Sequence, residues 1–194
     1  MRRLLISAIL AITAMPASAQ FLDVLTAPKT LIDRAIEARS SSDIAKDNEI
    51  VLKVNGVMAD LGTIKASTEI YEQRLLVTGV FDDKALYDRF EQQVRAVKGV
   101  KKLYWHVDYV AKDDPRRQKM LDWADVTVLA AKSQGRLIGT GGVADVNFRT
   151  TADVFGTVYL LGRARSNEEA KKALSRARDG NGVKKVVNYV DVRP

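Results

Sequence analysis

The sequence predicts an α+β fold built from two αββαβ modules, each with two helices packed on a small three-stranded mixed sheet. The first observation is an internal repeat, since the motif Gly-Val-Lys-Lys at residues 99–102 recurs 83 residues later at residues 182–185. The same offset relates three further pairs without a gap: Gly79 and Gly162, Val107 and Val190, and Asp108 and Asp191. The second observation is that helical and strand periodicities alternate in one order in both halves. Such self-similarity at a fixed spacing indicates a duplicated unit.

The elements of the first module follow from its apolar residues and its turn signals. Apolar residues three and four apart indicate an amphipathic helix, and residues 40–43 offer it an N-cap. Two alternating runs separated only by Glu72, Gln73 and Arg74 indicate a hairpin, although that turn has no glycine. The predicted elements are a helix at 44–59, strands at 65–72 and 74–81, a helix from Asp82 to Gly99 and a strand at 100–110.

The second module repeats this order with different turn chemistry. Gly156 supplies a hairpin glycine, and Ser166 or Asn167 offers the N-cap of the second helix, with Glu169 at the position of a capping box from Ser166. The buried stripe of that helix is predicted to be rich in alanine. The predicted elements are a helix over 123–130, a glycine-rich loop at 135–142, strands at 143–154 and 157–161, a helix from 166 or 167, and a strand at 183–192.

The N-terminus has the pattern of a secretory signal peptide. Arg2 and Arg3 precede an apolar stretch too short to span a bilayer, and Ala17-Ser18-Ala19 forms a cleavage box. We therefore expect cleavage after Ala19 and export to the periplasm. The predicted organisation is a signal peptide at 1–19, a lead-in at 20–42 with a short helix near 31–36, a first module at 43–111, a linker at 112–119 and a second module at 120–194.

Composition limits the remaining possibilities. The chain has no cysteine, which excludes disulfides and lipidation at the cleavage site. Residues 113–194 contain 15 Lys and Arg against 10 Asp and Glu, whereas residues 20–112 contain 14 of each. The basic character therefore lies in the second module, where it favours an anionic partner or forms an ordinary solvated surface.

No group of residues predicts catalysis, a metal site or a cofactor. His106 is the only histidine, and a lone histidine without cysteine indicates a structural or surface role. The acid pairs Asp82-Asp83 and Glu168-Glu169 lie at predicted helix starts, where carboxylates interact favourably with the helix dipole. The glycines at 139–142 lack the Gly-Lys-Ser/Thr ending of a phosphate loop. The sequence thus favours a binding protein over an enzyme.

The basic residues of the second module are the candidate site. On the predicted helix, Lys171 and Arg178 flank one side of the alanine-rich stripe, and Lys172 and Arg176 flank the other. Long basic side chains so arranged suit an anionic membrane surface, and Phe155 and Tyr159 are candidate inserting residues unless they belong to the core. Nucleic acid is disfavoured, because aromatic residues do not interleave with the basic ones. The predicted lipid-binding residues are Arg163, Arg165, Lys171, Lys172, Arg176 and Arg178.

The order of elements and the glycine positions resemble the BON domain family, in a tandem arrangement. Gly79 and Gly162 match its strand-to-helix glycine, and Gly99 and Gly182 match its helix-to-strand glycine. Asp122-Trp123 before a helix and the run at 156–162 are similar to the second domain of dual-BON outer-membrane lipoproteins. Because this chain lacks the cysteine that is lipidated in those proteins, it is more similar in this respect to the osmotically inducible periplasmic BON proteins.

The resemblance implies a non-catalytic envelope protein. It implies binding of anionic phospholipid, such as phosphatidylglycerol or cardiolipin, through residues 163–178, in support of envelope integrity or osmotic-stress tolerance. The alternative is a chaperone-like or protein-interaction module that docks outer-membrane or periplasmic proteins.

Overall fold

A computed structural model describes residues 36–62 and 65–194. The predicted signal peptide, its cleavage site and most of the lead-in lie outside the described residues. The elements are α1 (Ser41–Asp60), β1 (Ala66–Tyr71), β2 (Arg74–Phe81), α2 (Lys84–Arg95), β3 (Lys102–Tyr109), α3 (Trp123–Leu137), β4 (Phe148–Ala152), β5 (Thr157–Ala164), α4 (Asn167–Arg178) and β6 (Lys185–Val192), with short 3₁₀ turns at Pro115–Lys119 and Asp145–Asn147.

Two copies of one αββαβ arrangement make up the described chain, which confirms the predicted fold class. In each copy the central strand pairs antiparallel with the strand before it and parallel with the strand after the second helix. The strand orders are β1-β2-β3 and β4-β5-β6. The helices cover one face of each sheet because their apolar stripes are buried there: Ile50 and Phe90 lie in the first core, and Leu137 and Ala173 in a core of the second.

The two bare faces of the sheets pack against each other, so the helices form the outer layers. Successive side chains of a strand point to opposite faces, and Leu75 of β2 accordingly packs on α1 and α2 while Leu76 packs on Tyr159 and Leu161 of β5. Every residue of β2 is buried. The polar residue Thr78 is satisfied across the interface, where its hydroxyl lies 3.0 Å from that of Thr151.

Equivalent positions of the two modules meet at this interface. Nε2 of His106 lies 2.7 Å from the hydroxyl of Tyr189, and these residues are separated by the repeat offset of 83. Contact between matching residues of two copies is the property of an isologous interface. Around this pair the rings of Tyr104 and Tyr189 stack 3.9 Å apart, and the rings of His106 and Tyr159 lie 4.2 Å apart. Matching positions of the two modules therefore face each other at His106 and Tyr189.

The hairpin of the first module turns without glycine, as the sequence indicates, and does so in the left-handed region. Glu72 has φ 52° and Gln73 has φ 61°. Asp47 of α1, which is only 1 % exposed, accepts hydrogen bonds from the backbone N–H of both residues at 2.9 and 2.7 Å. Arg39 donates to the same carboxylate at 3.0 Å. A buried carboxylate thus holds the turn in a conformation that such side chains rarely adopt.

The four motif glycines are required for two reasons, close backbone approach at Gly79 and Gly162 and positive φ at Gly99 and Gly182. A Cβ on Gly162 would lie 2.1 Å from the carbonyl oxygen of Asn147, and one on Gly79 would lie 2.7 Å from that of Lys65. Gly99 and Gly182 instead have positive φ, at 97° and 93°. The predicted glycine positions therefore correspond to two physical needs, a close approach of the neighbouring strand's first residues to β2 and β5 and a turn before β3 and β6.

Several predicted bounds differ from the structure. Helix α3 continues through Gly135 to Leu137, since the i to i−4 bonds persist where the sequence predicts a loop. The first strand of the second module is shortened to Phe148–Ala152, because the 3₁₀ turn at Asp145–Asn147 precedes it. Lead-in residues are also tied to the second module, where Ala38 N–H donates to Asn147 Oδ1 at 2.8 Å.

Candidate functional site

Helix α4 places four of the six predicted lipid-binding residues on the protein surface. Ser166 caps the helix by accepting from the N–H of Glu169 at 3.1 Å, and the small side chains of Ala170, Ala173 and Ala177 bring it close to the sheet. The four basic residues left outside, all exposed, are Lys171, Lys172, Arg176 and Arg178.

Glu169 does not complete the reciprocal capping box that the sequence predicts. Its carboxylate accepts from the N–H of Arg165 and from that of Ala144, both at 2.8 Å. The side chain is 4 % exposed. It therefore anchors the start of α4 to the loop between α3 and β4.

The structure divides the basic residues of α4 into two sides. Nζ of Lys172 donates to the carbonyl oxygen of Gly141 at 2.7 Å, and Nε of Arg176 donates to the hydroxyl of Thr140 at 3.3 Å. These two side chains therefore border the loop that follows α3. On the opposite side, the side chains of Lys171 and Arg178 form no hydrogen bond or ion pair within the described residues.

Arg163 and Arg165 have different positions. Arg163 is a structural residue, because its guanidinium donates to the carbonyl oxygens of Ala38 and Pro194 and lies 3.8 Å from the carboxylate of Glu72. Arg165 remains largely exposed and lies 3.4 Å from Glu169. The surface available to an anionic partner therefore comprises Arg165 and the four basic residues of α4, which we call the α4 surface.

An exposed aliphatic residue that the sequence does not predict precedes the loop bordered by Lys172 and Arg176. Ile138 is 50 % exposed, and it directly follows α3 and precedes the loop that Lys172 and Arg176 contact. The aromatic candidates do not take this role, because Tyr159 is buried between the sheets and Phe155 packs on a core cluster. The sequence signal was an isoleucine placed between the end of a helix and a glycine.

His106 and Asp83, which the sequence also singles out, have structural positions. Burial lowers the pKa of His106, which lies in the interface between the sheets. Asp83 caps α2 by accepting from the N–H of Leu86 at 2.9 Å. Within residues 36–62 and 65–194, no three His, Asp or Glu side chains are grouped to hold a metal ion, and no helix of that part is long and apolar enough to cross a membrane.

A second candidate site, unpredicted from sequence, is a cleft between the modules. Its volume is about 440 Å³, and it lies between α3, β4 and the face of β1 that points toward the second sheet. Glu69 of β1 and Arg149 of β4 provide its charges, while Trp123 and Ala130 of α3 contribute apolar wall. Burial raises the pKa of Glu69 to about 7, against the opposing effect of Arg149.

The chain is similar to a known protein over most of its length, and its second module matches a known domain. Over 151 residues the chain is 29 % identical to a protein of Anaplasma centrale described as an uncharacterized protein in the gshII 5′ region, covering 76 % of this chain and 95 % of that one.

Among solved structures, CdsD of Chlamydia trachomatis, described as a structural protein of the type III secretion system, shares 11 % identity at a TM-score of 0.33, covering 75 % of this chain and 93 % of that one. A structure of its C-terminal domain gives 12 %, a TM-score of 0.31, and coverage of 75 % and 98 %. At these scores the likeness supports no conclusion about fold or function. Residues 125–194, which run from the first turn of α3 through β6, match the BON domain.

Proposed function

We propose that this protein is a non-catalytic periplasmic protein that binds anionic phospholipid surfaces peripherally through the α4 surface. In this role it supports the cell envelope, including under osmotic stress. The BON match over residues 125–194 supports the proposal, since this domain is often linked to membrane or envelope proteins. We also propose that the first module, with its identical order of elements, is a second BON domain.

One observation carries the lipid proposal: the exposed residue Ile138 directly precedes the loop that basic side chains of α4 contact. The amine of Lys172 and the guanidinium of Arg176 both contact the loop that follows this exposed isoleucine. An exposed aliphatic side chain that precedes a loop bordered by two cations matches the boundary between acyl chains and anionic headgroups. The side chain enters the apolar region while the long basic side chains remain at headgroup level.

The expected affinity is weak and depends on salt. Each basic residue near an anionic surface contributes about 1 kcal/mol, so five of them and one inserted isoleucine favour reversible association. The electrostatic part declines as the Debye length falls from ~30 Å at 0.01 M salt to ~8 Å at 0.15 M. Zwitterionic membranes should bind far less.

The test is co-sedimentation of the protein with phosphatidylglycerol, cardiolipin or phosphatidylcholine vesicles at low and physiological salt. We expect selective, salt-sensitive binding to the anionic vesicles. Reversing Lys171, Lys172 and Arg176 to Glu should abolish it. The matched control reverses three exposed lysines elsewhere, Lys46, Lys98 and Lys112, which changes net charge equally.

A second pair of variants tests insertion. Ile138→Ser should weaken binding, whereas Val128→Ser, which changes a residue 47 % exposed on α3, should not. Binding retained after reversal of the α4 lysines and arginine would refute the assignment. Absence of binding to any vesicle would instead favour the protein-interaction role, which crosslinking to a single dominant envelope partner would identify.

A further inference from the structure

The cleft between the modules has the features of a ligand site separate from the α4 surface. Its volume of about 440 Å³ lies within the range of small-molecule pockets. Three elements form it, because β4 is an edge strand of the second sheet and leaves a gap between α3 and β1. Hydroxyl and amide groups converge there, and Thr150 already donates to the carbonyl oxygen of Ala130 at 3.0 Å.

Glu69 is the unusual residue of this cleft. Its carboxylate has no hydrogen bond or ion pair within the part of the chain that the structure describes. Every buried side-chain polar atom there except Nε of Arg74 has a partner, so the Glu69 oxygens face open space in the cleft. A carboxylate that opens onto a partly enclosed cleft and has no partner of its own attracts a cation more strongly than one in bulk water.

Arg149 restricts what that cation can be. One nitrogen of its guanidinium, Nη1, is occupied by the carbonyl oxygens of Val146 and Phe148, both at 2.8 Å. The positive charge nevertheless lines the same cleft and acts on Glu69. A simple amine would be attracted by Glu69 and repelled by Arg149. A molecule with an amine and an acid group matches both charges.

We propose that this cleft binds a small zwitterion, with its protonated amine against Glu69 and its acidic group toward Arg149. Trp123 and the alanines of α3 then contact the carbon chain between the two charges. The shared chemistry fits a free amino acid or the ammonium-phosphate headgroup of a phospholipid. The probes below distinguish the two.

The test is calorimetric titration of the intact protein with four probes: γ-aminobutyrate, O-phosphoethanolamine, n-butylamine and butyrate. Both zwitterions should bind about tenfold or more tightly than the two singly charged molecules, because each of the latter can make only one of the two charged contacts. Tighter binding of γ-aminobutyrate indicates a free amino acid as the source, and tighter binding of O-phosphoethanolamine indicates the headgroup.

Glu69→Gln should weaken zwitterion binding about tenfold or more for the same reason, while Glu168→Gln, at an exposed carboxylate on α4, should leave it unchanged. The chain has two tryptophans, so NMR gives a built-in control. Zwitterion should shift the indole signal of Trp123 and leave that of Trp105 in place. Three results would overturn the proposal: n-butylamine binding as tightly as the zwitterions, Glu69→Gln binding them as tightly as the unchanged protein, or no binding of any probe. Binding to anionic vesicles should be the same in Glu69→Gln as in the unchanged protein.

Discussion

The buried carboxylate of Asp47 sets the stability of the first module, and replacing it with alanine is the sharpest test of that role. In the structure this side chain accepts four hydrogen bonds. They come from the N–H of Glu72 at 2.9 Å, the N–H of Gln73 at 2.7 Å, Nε2 of Gln73 at 2.8 Å and a guanidinium nitrogen of Arg39 at 3.0 Å. Asp47→Ala leaves all of these donors without their acceptor.

The magnitude follows from the loss of the buried acceptor. Removing one partner of a buried ion pair typically destabilises by about 3–5 kcal/mol. The left-handed strain of Glu72 and Gln73, about 1–2 kcal/mol per residue, is present with and without the carboxylate and cancels in the difference. We expect a loss of about 4 kcal/mol, a large share of the 5–15 kcal/mol typical of a native protein. Asp47→Asn keeps one acceptor oxygen and should cost about half as much.

Urea unfolding followed by circular dichroism measures this loss. With a denaturant slope of about 2 kcal/mol/M, Asp47→Ala should lower the midpoint by about 2 M. The matched control is Asp60→Ala, an exposed carboxylate at the other end of α1, which should change stability by less than ~0.5 kcal/mol. A loss below ~1 kcal/mol in Asp47→Ala would show that the hairpin holds its conformation without this carboxylate.

Three further outcomes are expected. Gly162→Ala should destabilise the protein by about 3 kcal/mol or more, because the new Cβ would clash with a backbone oxygen. In the same urea assay, Gly135→Ala should stabilise it by about 1 kcal/mol, because this position in α3 has open space around it. Since burial raises the pKa of Glu69 to about 7, the folded protein keeps a proton that the unfolded chain releases above its ordinary pKa of 4.5. Stability should therefore fall as pH rises from about 4.5 to 8, and Glu69→Gln should remove that fall, which parallel urea titrations at the two pH values would show. Arg74 donates to the carbonyl oxygens of Gly162 and Tyr189 across the module interface. Arg74→Met should therefore lower the free energy of unfolding by about 2–3 kcal/mol. An unchanged melting temperature in this variant would argue against a stabilising role for these hydrogen bonds.

Much of the fold is readable from sequence because the repeat constrains it twice. Strand β2 runs over Arg74–Phe81, as the alternation predicts, and Asp83 and Ser166 cap their helices. The errors lie where tertiary contacts override local signals. Helix α3 continues through Gly135, and the partner of Glu169 is a distant loop N–H, which no spacing along the chain reveals.

The candidate sites are less readable because they depend on residues brought together by packing. Nothing in the sequence distinguishes Arg163 from its basic neighbours, yet its guanidinium donates to the carbonyl oxygen of the distant residue Ala38. The exposure of Ile138 requires knowing where α3 ends. Glu69 and Arg149 line one cleft only because the two sheets stack, and they are 80 residues apart in the chain.

The meeting of His106 with Tyr189 has a consequence for how the chain matures. During synthesis the first module emerges alone, with Tyr71, Leu76 and Tyr104 on a sheet face that its sibling later covers. Until β5 and β6 are present, the apolar residues of that face are exposed to solvent. We therefore expect a chain truncated after β3 to self-associate. In the intact protein each module covers the apolar sheet face of the other and so prevents this association.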